Sequence, residues 1–228
     1  MKIIIIIPAY NEEENLVKVI EDIREYCPDY DYLIIDDGST DNTHILCKNN
    51  GFNVVSLISN LGFSGAVQTG FKYAVREGYD IVVQFDGDGQ HPAKSIPGMV
   101  KLIKNKEGQY IIGSRFVDRR KPFSLRMIGS VILSFLIRIR TGKRVKDPTS
   151  GMRAVTREIA DKMTKYMNFI AEPDTLVRTL LAGFSVKEFQ VSMKERENGA
   201  SHFQSPLNSM KYMVRIFISI IFYQKGRW

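Results

Sequence analysis

The sequence holds only two cysteines, Cys27 and Cys47, in 228 residues. No disulfide framework can be built from them, and a reducing compartment fits best. It has no low-complexity segment and no internal repeat. It also lacks an apolar run of the ~20 residues that a spanning helix needs. The longest are Met127–Ile137, interrupted only by small Gly and Ser, and Ile216–Tyr223. The start of the chain, Met1 to Pro8, looks like the apolar region of a signal peptide. No small-residue cleavage site follows, and Asn11-Glu12-Glu13-Glu14 comes next, so it reads as a buried strand. Two phosphate-binding signatures are missing as well. No G-x-G-x-x-G follows the first strand, and Gly62-Phe63-Ser64-Gly65 lacks the Gly-Lys-Ser/Thr ending of a P-loop, reading instead as a tight helix entry.

What is present is enough apolar material, 44% of the chain, for one substantial core with a C-terminal appendage. The expected division is a main domain over 1–204 and an amphipathic helix over 205–228. Charge is unevenly placed. Residues 1–113 hold 10 Lys+Arg against 16 Asp+Glu, and residues 114–228 hold 22 against 9. Within Arg115–Lys146 there are ten basic residues and one acid, Asp118. Such a half suits an anionic partner (nucleic acid, acidic membrane or phosphorylated ligand), with a merely solvated basic face as the plain alternative.

Strands and helices alternate along the first half. Ile3–Ile7 is a β-branched run ending at Pro8, and Glu12–Tyr26 has helical spacing behind an acidic first turn. Strands are expected at Tyr32–Ile35, Asn53–Leu57 and Ile81–Phe85. Helices are expected from a Thr40 or Asp41 cap to Asn49 and over Ser64–Glu77. That alternation predicts an α/β fold with a parallel, Rossmann-like sheet. Ligands gather beyond the carboxyl ends of such strands. Three polar clusters stand there: Pro8-Ala9-Tyr10-Asn11-Glu12, Asp36-Asp37-Gly38-Ser39 and Asp86-Gly87-Asp88-Gly89-Gln90. Asp86, Asp88 and the Gln90 amide form a hard-oxygen set that suits Mg²⁺ or Mn²⁺ and leaves positions open for phosphate oxygens. Taken alone, a surface turn would explain D-x-D equally well.

Two later segments are amphipathic. Arg126, Ser130, Ser134 and Arg138 recur at i, i+4 in a helix over about 122–140, and Lys211, Arg215 and Ser219 repeat the design near the C-terminus. Each predicts a polar stripe on an otherwise apolar helix. Either the helices lie in a membrane interface, or they pack on a core or partner subunit.

Seven motifs in order carry a resemblance. They are Ile-Pro-Ala-Tyr-Asn-Glu-Glu-Glu-Asn at 7–15, Ile-Asp-Asp-Gly-Ser-Thr-Asp at 35–41, Asn-Leu-Gly-Phe-Ser-Gly-Ala at 60–66 and Asp-Gly-Asp-Gly-Gln-His-Pro at 86–92. Then follow Gly-Ser-Arg-Phe at 113–116, Asp-Pro-Thr-Ser-Gly-Met-Arg at 147–153 and Arg-Glu-Asn-Gly-Ala-Ser-His at 196–202. Over nearly its whole length the chain resembles family 2 glycosyltransferases of the GT-A fold. Within them it is most similar to the polyprenyl-phosphate hexosyltransferase branch that includes the dolichol-phosphate mannose synthases.

The resemblance implies a mostly parallel GT-A sheet flanked by helices. It implies a metal-dependent, inverting hexosyltransferase acting in a single displacement. The donor would be UDP-glucose, UDP-N-acetylglucosamine or GDP-mannose, and the acceptor a polyprenyl phosphate, for cell-surface glycan assembly. It puts Pro8, Tyr10, Glu12, Ile35 and Asp37 around the nucleotide, and Asp86, Asp88 and Gln90 on the metal at the donor diphosphate. Arg115 and Arg196 would lie near the phosphates, and Arg115, Arg126 and Arg153 would face the acceptor phosphate. Glu172, close to Asp174, stands where the family has a carboxylate, although a charge at a helix N-terminus explains it as well. His202 replaces the family's usual Lys, and with an unperturbed pKa of about 6.5 it is a weaker phosphate clamp at neutral pH.

Three functions compete at this point. The first is transfer to a polyprenyl phosphate, already anionic and needing little deprotonation. The second is transfer to a sugar hydroxyl, which needs a general base within reach. The third is a non-enzymatic nucleotide- or nucleic-acid-binding module. The intact Asp86-x-Asp88-x-Gln90 set and the lack of an RNA-reading motif stand against the third, so no nucleic acid is expected. The basic 115–146 segment favours the first. The expected location is peripheral, on the cytoplasmic face of an anionic membrane. Many members of the resembled family carry spanning helices after the catalytic domain and this chain stops at Trp228. A small integral membrane partner is therefore expected, with homo-oligomerisation left open.

Overall fold

The computed structural model describes residues 1–119, 121–122, 125–165, 173–193 and 216–220. Seven strands form one sheet: β1 (Ile3–Ala9), β2 (Asp31–Asp36), β3 (Val54–Ser56), β4 (Ile81–Gln84), β5 (Tyr110–Ser114), β6 (Arg153–Thr156) and β7 (Val186–Gln190). Their order is β3-β2-β1-β4-β6-β5-β7. The pairings β1–β2, β1–β4, β2–β3 and β5–β7 are parallel, whereas β6 runs antiparallel to β4 and β5. The sheet is thus mostly parallel, as expected. Every other strand ends at the edge where β6 begins, so six strand ends and the segment leading into β6 lie along it.

The helices are α1 (Leu16–Tyr26), α2 (Thr43–Asn49), α3 (Gly62–Arg76), α4 (Ile96–Lys104), α5 (Leu125–Thr141), α6 (Arg157–Lys165) and α7 (Pro173–Leu181). The unbroken Ile run of β1 is explained by burial on both faces. Ile4 and Ile6 join a core with α3, α5, α6 and α7 on one side, and Ile3, Ile5 and Ile7 join a core with α1, α2 and α4 on the other. Fully burying each such side chain is worth ~1.5–3 kcal/mol.

One expectation is corrected. Helix α1 starts at Leu16, because Asn11 takes φ 55° and residues 13–15 form a turn closed by Glu12. The glutamates therefore sit before the helix, where the Glu12 N–H donates to Thr43 Oγ1 and the Glu13 N–H to Asp41 Oδ2. On α5 the serines of the polar stripe face inward. Ser130 is buried beside Met127, Leu133 and Ile137, whereas Ile128, Val131, Ile132, Phe135 and Ile139 are exposed. Ser130 tolerates burial because the Lys121 ammonium donates to it, and the Ser134 hydroxyl donates back to the Ser130 carbonyl. Arg138 is exposed, and the side chain of Arg126 lies outside the described residues. Of the C-terminal helix, 216–220 is described as helical. Ile216 and Ile220 join the core of α5, while Phe217 and Ile218 are exposed. No helix among the described residues is long and apolar enough to cross a membrane.

Candidate active site

The loops after β1 and β2 are stitched to each other. Asn11 N–H donates to Ser39 Oγ at 3.0 Å, and Asn11 Oδ1 accepts the Thr40 N–H at 2.8 Å. Pro8 lies at the end of β1 against Ile35 of β2, with Tyr10 and Glu12 half-exposed just beyond. Asp36 and Asp37 are both buried. Asp36 accepts from Ser39 N–H and Ser56 Oγ, and Asp37 Oδ1 accepts the Leu61 N–H at 2.8 Å, tying this edge to the start of α3. Gly38 permits that approach. At φ +67°, a Cβ there would lie 2.9 Å from the Asn60 nitrogen and the Ser59 carbonyl carbon. Ile35 departs from its expected role. Its side chain is fully buried in the core and its backbone is inside the ladder, so it offers no surface to a base or ribose.

Asp86, Asp88 and Gln90 follow β4 on the same edge, each partly exposed. The Gln90 N–H donates to Asp88 Oδ1 at 3.1 Å, which folds the loop and keeps Asp88 and Gln90 together. Behind them is Gly151, where an added Cβ would stand 2.1 Å from Asp86 Oδ2, so only glycine leaves that carboxylate in place. Among the described residues no three His, Cys, Asp or Glu side chains converge. Two carboxylates and an amide oxygen therefore make an open set of hard donors. That fits a cation completed by diphosphate oxygens, as Mg²⁺ sites commonly are, better than a protein-made cage.

The loops after β5 and before β6 build the third part. Arg115 forks onto Asp147, with Nε to Oδ2 and Nη2 to Oδ1 both at 2.7 Å, and its backbone N–H reaches Oδ2 at 3.1 Å. The Asp147 side chain is 0% exposed and that of Arg115 15%. Burial pushes the Asp147 carboxyl up, but the hydrogen bonds and charge of Arg115, helped by Lys121, outweigh it and leave it below its ordinary value. Glu188 of β7 fixes this loop by accepting the Lys146 and Asp147 N–H groups at 2.8 Å each. His91 is buried next to it, its Nδ1 making no hydrogen bond among the described residues. Burial holds its pKa down, Arg115 adds to the fall, and Asp88 and Asp147 oppose it.

The reading of Arg153 as an acceptor-phosphate contact is corrected. It is 5% exposed, and its guanidinium donates to the Ser150 and Pro148 carbonyls, which shapes the loop that carries Asp147. Glu172, Arg196 and His202 lie outside the described residues. Asp147, Glu188, His91 and Lys121 were not singled out from the sequence. Asp147 opens the 147–153 motif and His91 stands in the 86–92 motif, but neither was given a role there. Glu188 and Lys121 have no such signal, since their partners are distant in the chain.

A mostly parallel sheet, three loop clusters on its carboxyl edge and an exposed carboxylate pair define the GT-A architecture. The chain belongs to glycosyl transferase family 2, whose pattern it matches over residues 4–164. It is 30% identical over 212 residues to polyprenol monophosphomannose synthase of Mycolicibacterium smegmatis, covering 87% of this chain and 79% of that one. It is 36% identical over 176 residues to the UDP-N-acetylglucosamine–dolichyl-phosphate N-acetylglucosaminyltransferase of Methanococcus voltae, covering 68% and 69%. In structure it is similar to glucosyl-3-phosphoglycerate synthase of Mycobacterium tuberculosis, solved with Mn²⁺, uridine diphosphate and phosphoglyceric acid. That likeness has a TM-score of 0.69 at 22% identity, over 96% of this chain and 77% of that one.

Proposed function

We propose that this protein transfers a hexose from a nucleoside-diphosphate sugar to the phosphate of a polyprenyl phosphate, working peripherally at the cytoplasmic face of a membrane. The observation that carries the reading is the juxtaposition on one edge. A hard-oxygen pair at Asp86 and Asp88 shares the carboxyl edge with the Arg115–Asp147 pair, buried His91 lying in the field of Asp88, Arg115 and Asp147, and α5 borders that pair with a row of exposed apolar side chains. A donor diphosphate suits the first, an acceptor phosphate the second and a lipid chain the third. The names of both relatives support the acceptor class, and their sugars differ, mannose in one and N-acetylglucosamine in the other.

Asp86, Asp88 and the Gln90 amide would hold Mg²⁺ or Mn²⁺. When bound, the ion neutralises charge that develops on the departing diphosphate. The protein's own groups do the rest. The loops at Pro8–Glu12 and Asp36–Gly38 orient the nucleotide, and Asp37 keeps the start of α3 in place behind it. Arg115, whose Nε and Nη2 are held by Asp147, is fixed in place with Nη1 left to act without reorganisation as charge builds. The acceptor is ionised before it arrives, so its nucleophilic oxygen needs positioning rather than a base. The exposed apolar face of α5 receives the lipid chain and sets the protein on the membrane.

Transfer of radiolabel from UDP-glucose, UDP-N-acetylglucosamine and GDP-mannose to undecaprenyl phosphate in vesicles tests the reading. One donor should yield a lipid-linked monosaccharide. If every donor fails on undecaprenyl and dolichyl phosphate while a sugar hydroxyl is glycosylated, the acceptor class is wrong.

A further inference from the structure

Beneath α5 stands a cation that the proposed reaction has not yet used. Lys121 is half-buried, and its ammonium donates to the hydroxyls of Ser130 at 2.7 Å and Ser134 at 3.5 Å. It makes no ion pair within 4.0 Å among the described residues. The other basic groups around it are occupied. Arg115 is matched by Asp147, Arg153 is bound to carbonyls, and Lys146 donates to the Val117 carbonyl. Burying an ammonium against neutral hydroxyls is costly unless an anion arrives to pair with it. Burial lowers the Lys121 pKa, Asp147 opposes the fall, Arg115 adds to it, and Glu188 opposes it, so the nearest anion is one already committed to Arg115.

Position points the same way. Phe116 brings the two cations to one place, with Arg115 Cζ 5.1 Å and Lys121 Nζ 5.5 Å from its ring centroid. The two serines stand one helical turn apart on the inner side of α5, and Val131, Ile132 and Phe135 open to the outside of the same turns. A phosphomonoester head attached to a long apolar chain fits this pairing, head at Lys121 and chain along the outer stripe. Lysine suits the task as a compact point charge on a flexible stem, able to turn from serine to phosphate.

We propose that Lys121 binds the phosphate of the lipid acceptor, with Ser130 and Ser134 serving as the resting place of its ammonium when no acceptor is bound. The inference rests on the polyprenyl-phosphate reading above. It replaces Arg153 with Lys121 as a cation of the acceptor site.

The test is kinetic, in Lys121→Met, which keeps the stem and removes the charge, and in Lys121→Arg. Loss of a charge-assisted hydrogen bond to phosphate should raise KM for undecaprenyl phosphate by about tenfold or more. KM for the sugar nucleotide and the calorimetric affinity for the nucleoside diphosphate should not move. Arginine should recover most of the loss. An unchanged KM for the lipid in Lys121→Met overturns the inference, as does an equal rise in KM for both substrates, the sign of a general structural fault. Should Lys121→Met fail to fold, Lys121→Gln replaces it under the same criteria. Parent protein that transfers nothing to any polyprenyl phosphate removes the underlying reading, and the inference with it. Parent transfer with an unaltered variant removes the inference alone.

Discussion

Replacing Asp147 with asparagine removes one charge from the best-formed ion pair of the site. Asp147 is wholly buried and accepts three N–H bonds from Arg115, at 2.7, 2.7 and 3.1 Å. Asparagine preserves the shape, but its amide has a single acceptor oxygen and turns an N–H₂ group toward a guanidinium that can only donate. Breaking a buried pair by removing one partner costs about 3–5 kcal/mol, because the other charge is left uncompensated. Arg115 keeps 15% exposure, so the lower end, about 3 kcal/mol, applies. A urea slope of about 1–3 kcal/mol/M for a small domain turns this into a midpoint lowered by about 1–3 M. The dependence on pH has a definite sign. The folded-state pKa of Asp147 is depressed below its ordinary value of 3.8. Its contribution is thus complete above that value and is lost as pH falls toward the lower folded one. Parent stability should therefore fall more steeply than that of Asp147→Asn below about pH 4. Urea unfolding followed by circular dichroism at neutral and acid pH measures both effects. A midpoint change smaller than about 0.3 M, or equal acid slopes, would refute the reasoning that Asp147 holds Arg115 by charge.

Three other predictions concern separate parts of the site. Asp88→Asn should abolish transfer and keep the fold, since one charged oxygen leaves a hard-donor set, and chelation by EDTA should act likewise on the parent. Turnover that survives EDTA would count against a metal. Gly151→Ala should lower kcat by at least about tenfold, because its Cβ would stand 2.1 Å from Asp86 Oδ2 and displace that carboxylate. Activity equal to the parent would show that Asp86 is not needed in that position. Ile132→Ser with Phe135→Ser and Ile139→Ser should release the protein from anionic vesicles in a flotation assay. These side chains are 44, 62 and 63% exposed and can each contribute about 1.5 kcal/mol or more on burial in lipid. Flotation unchanged by the triple substitution would make the stripe irrelevant to membrane binding.

Local features of the fold were legible in the sequence. The isoleucine run of β1, the strand stops at Asp36 and Asp86 and the helical spacing behind Leu16 depend on neighbouring residues, and each element is observed within a few positions. What the sequence hid depends on distance. Strand β6 is only four residues long and opens with an arginine, and its direction comes from pairing with Gln84 and Ile112, far away in the chain. Arg115 was recognisable as a site residue, but its partner Asp147 lies 32 positions later and is brought to it by Glu188 on another strand. The amphipathic character of α5 was visible, but not which of its faces turns inward. Serines usually mark a wet face. Here Ser130 faces inward because Lys121 donates to it, and the apolar side chains face out. Arg153 was misread for a similar reason, since nothing in its motif shows that carbonyls of its own loop take up its donors.

The most direct measurement is the transfer of a radiolabelled sugar to a polyprenyl phosphate, compared with the matching polyprenol, by the parent protein in anionic vesicles with Mg²⁺ or Mn²⁺. The account predicts labelled lipid from the phosphate alone, from one nucleotide sugar among those offered, and none after chelation. Labelling of the alcohol as readily as of the phosphate would contradict it.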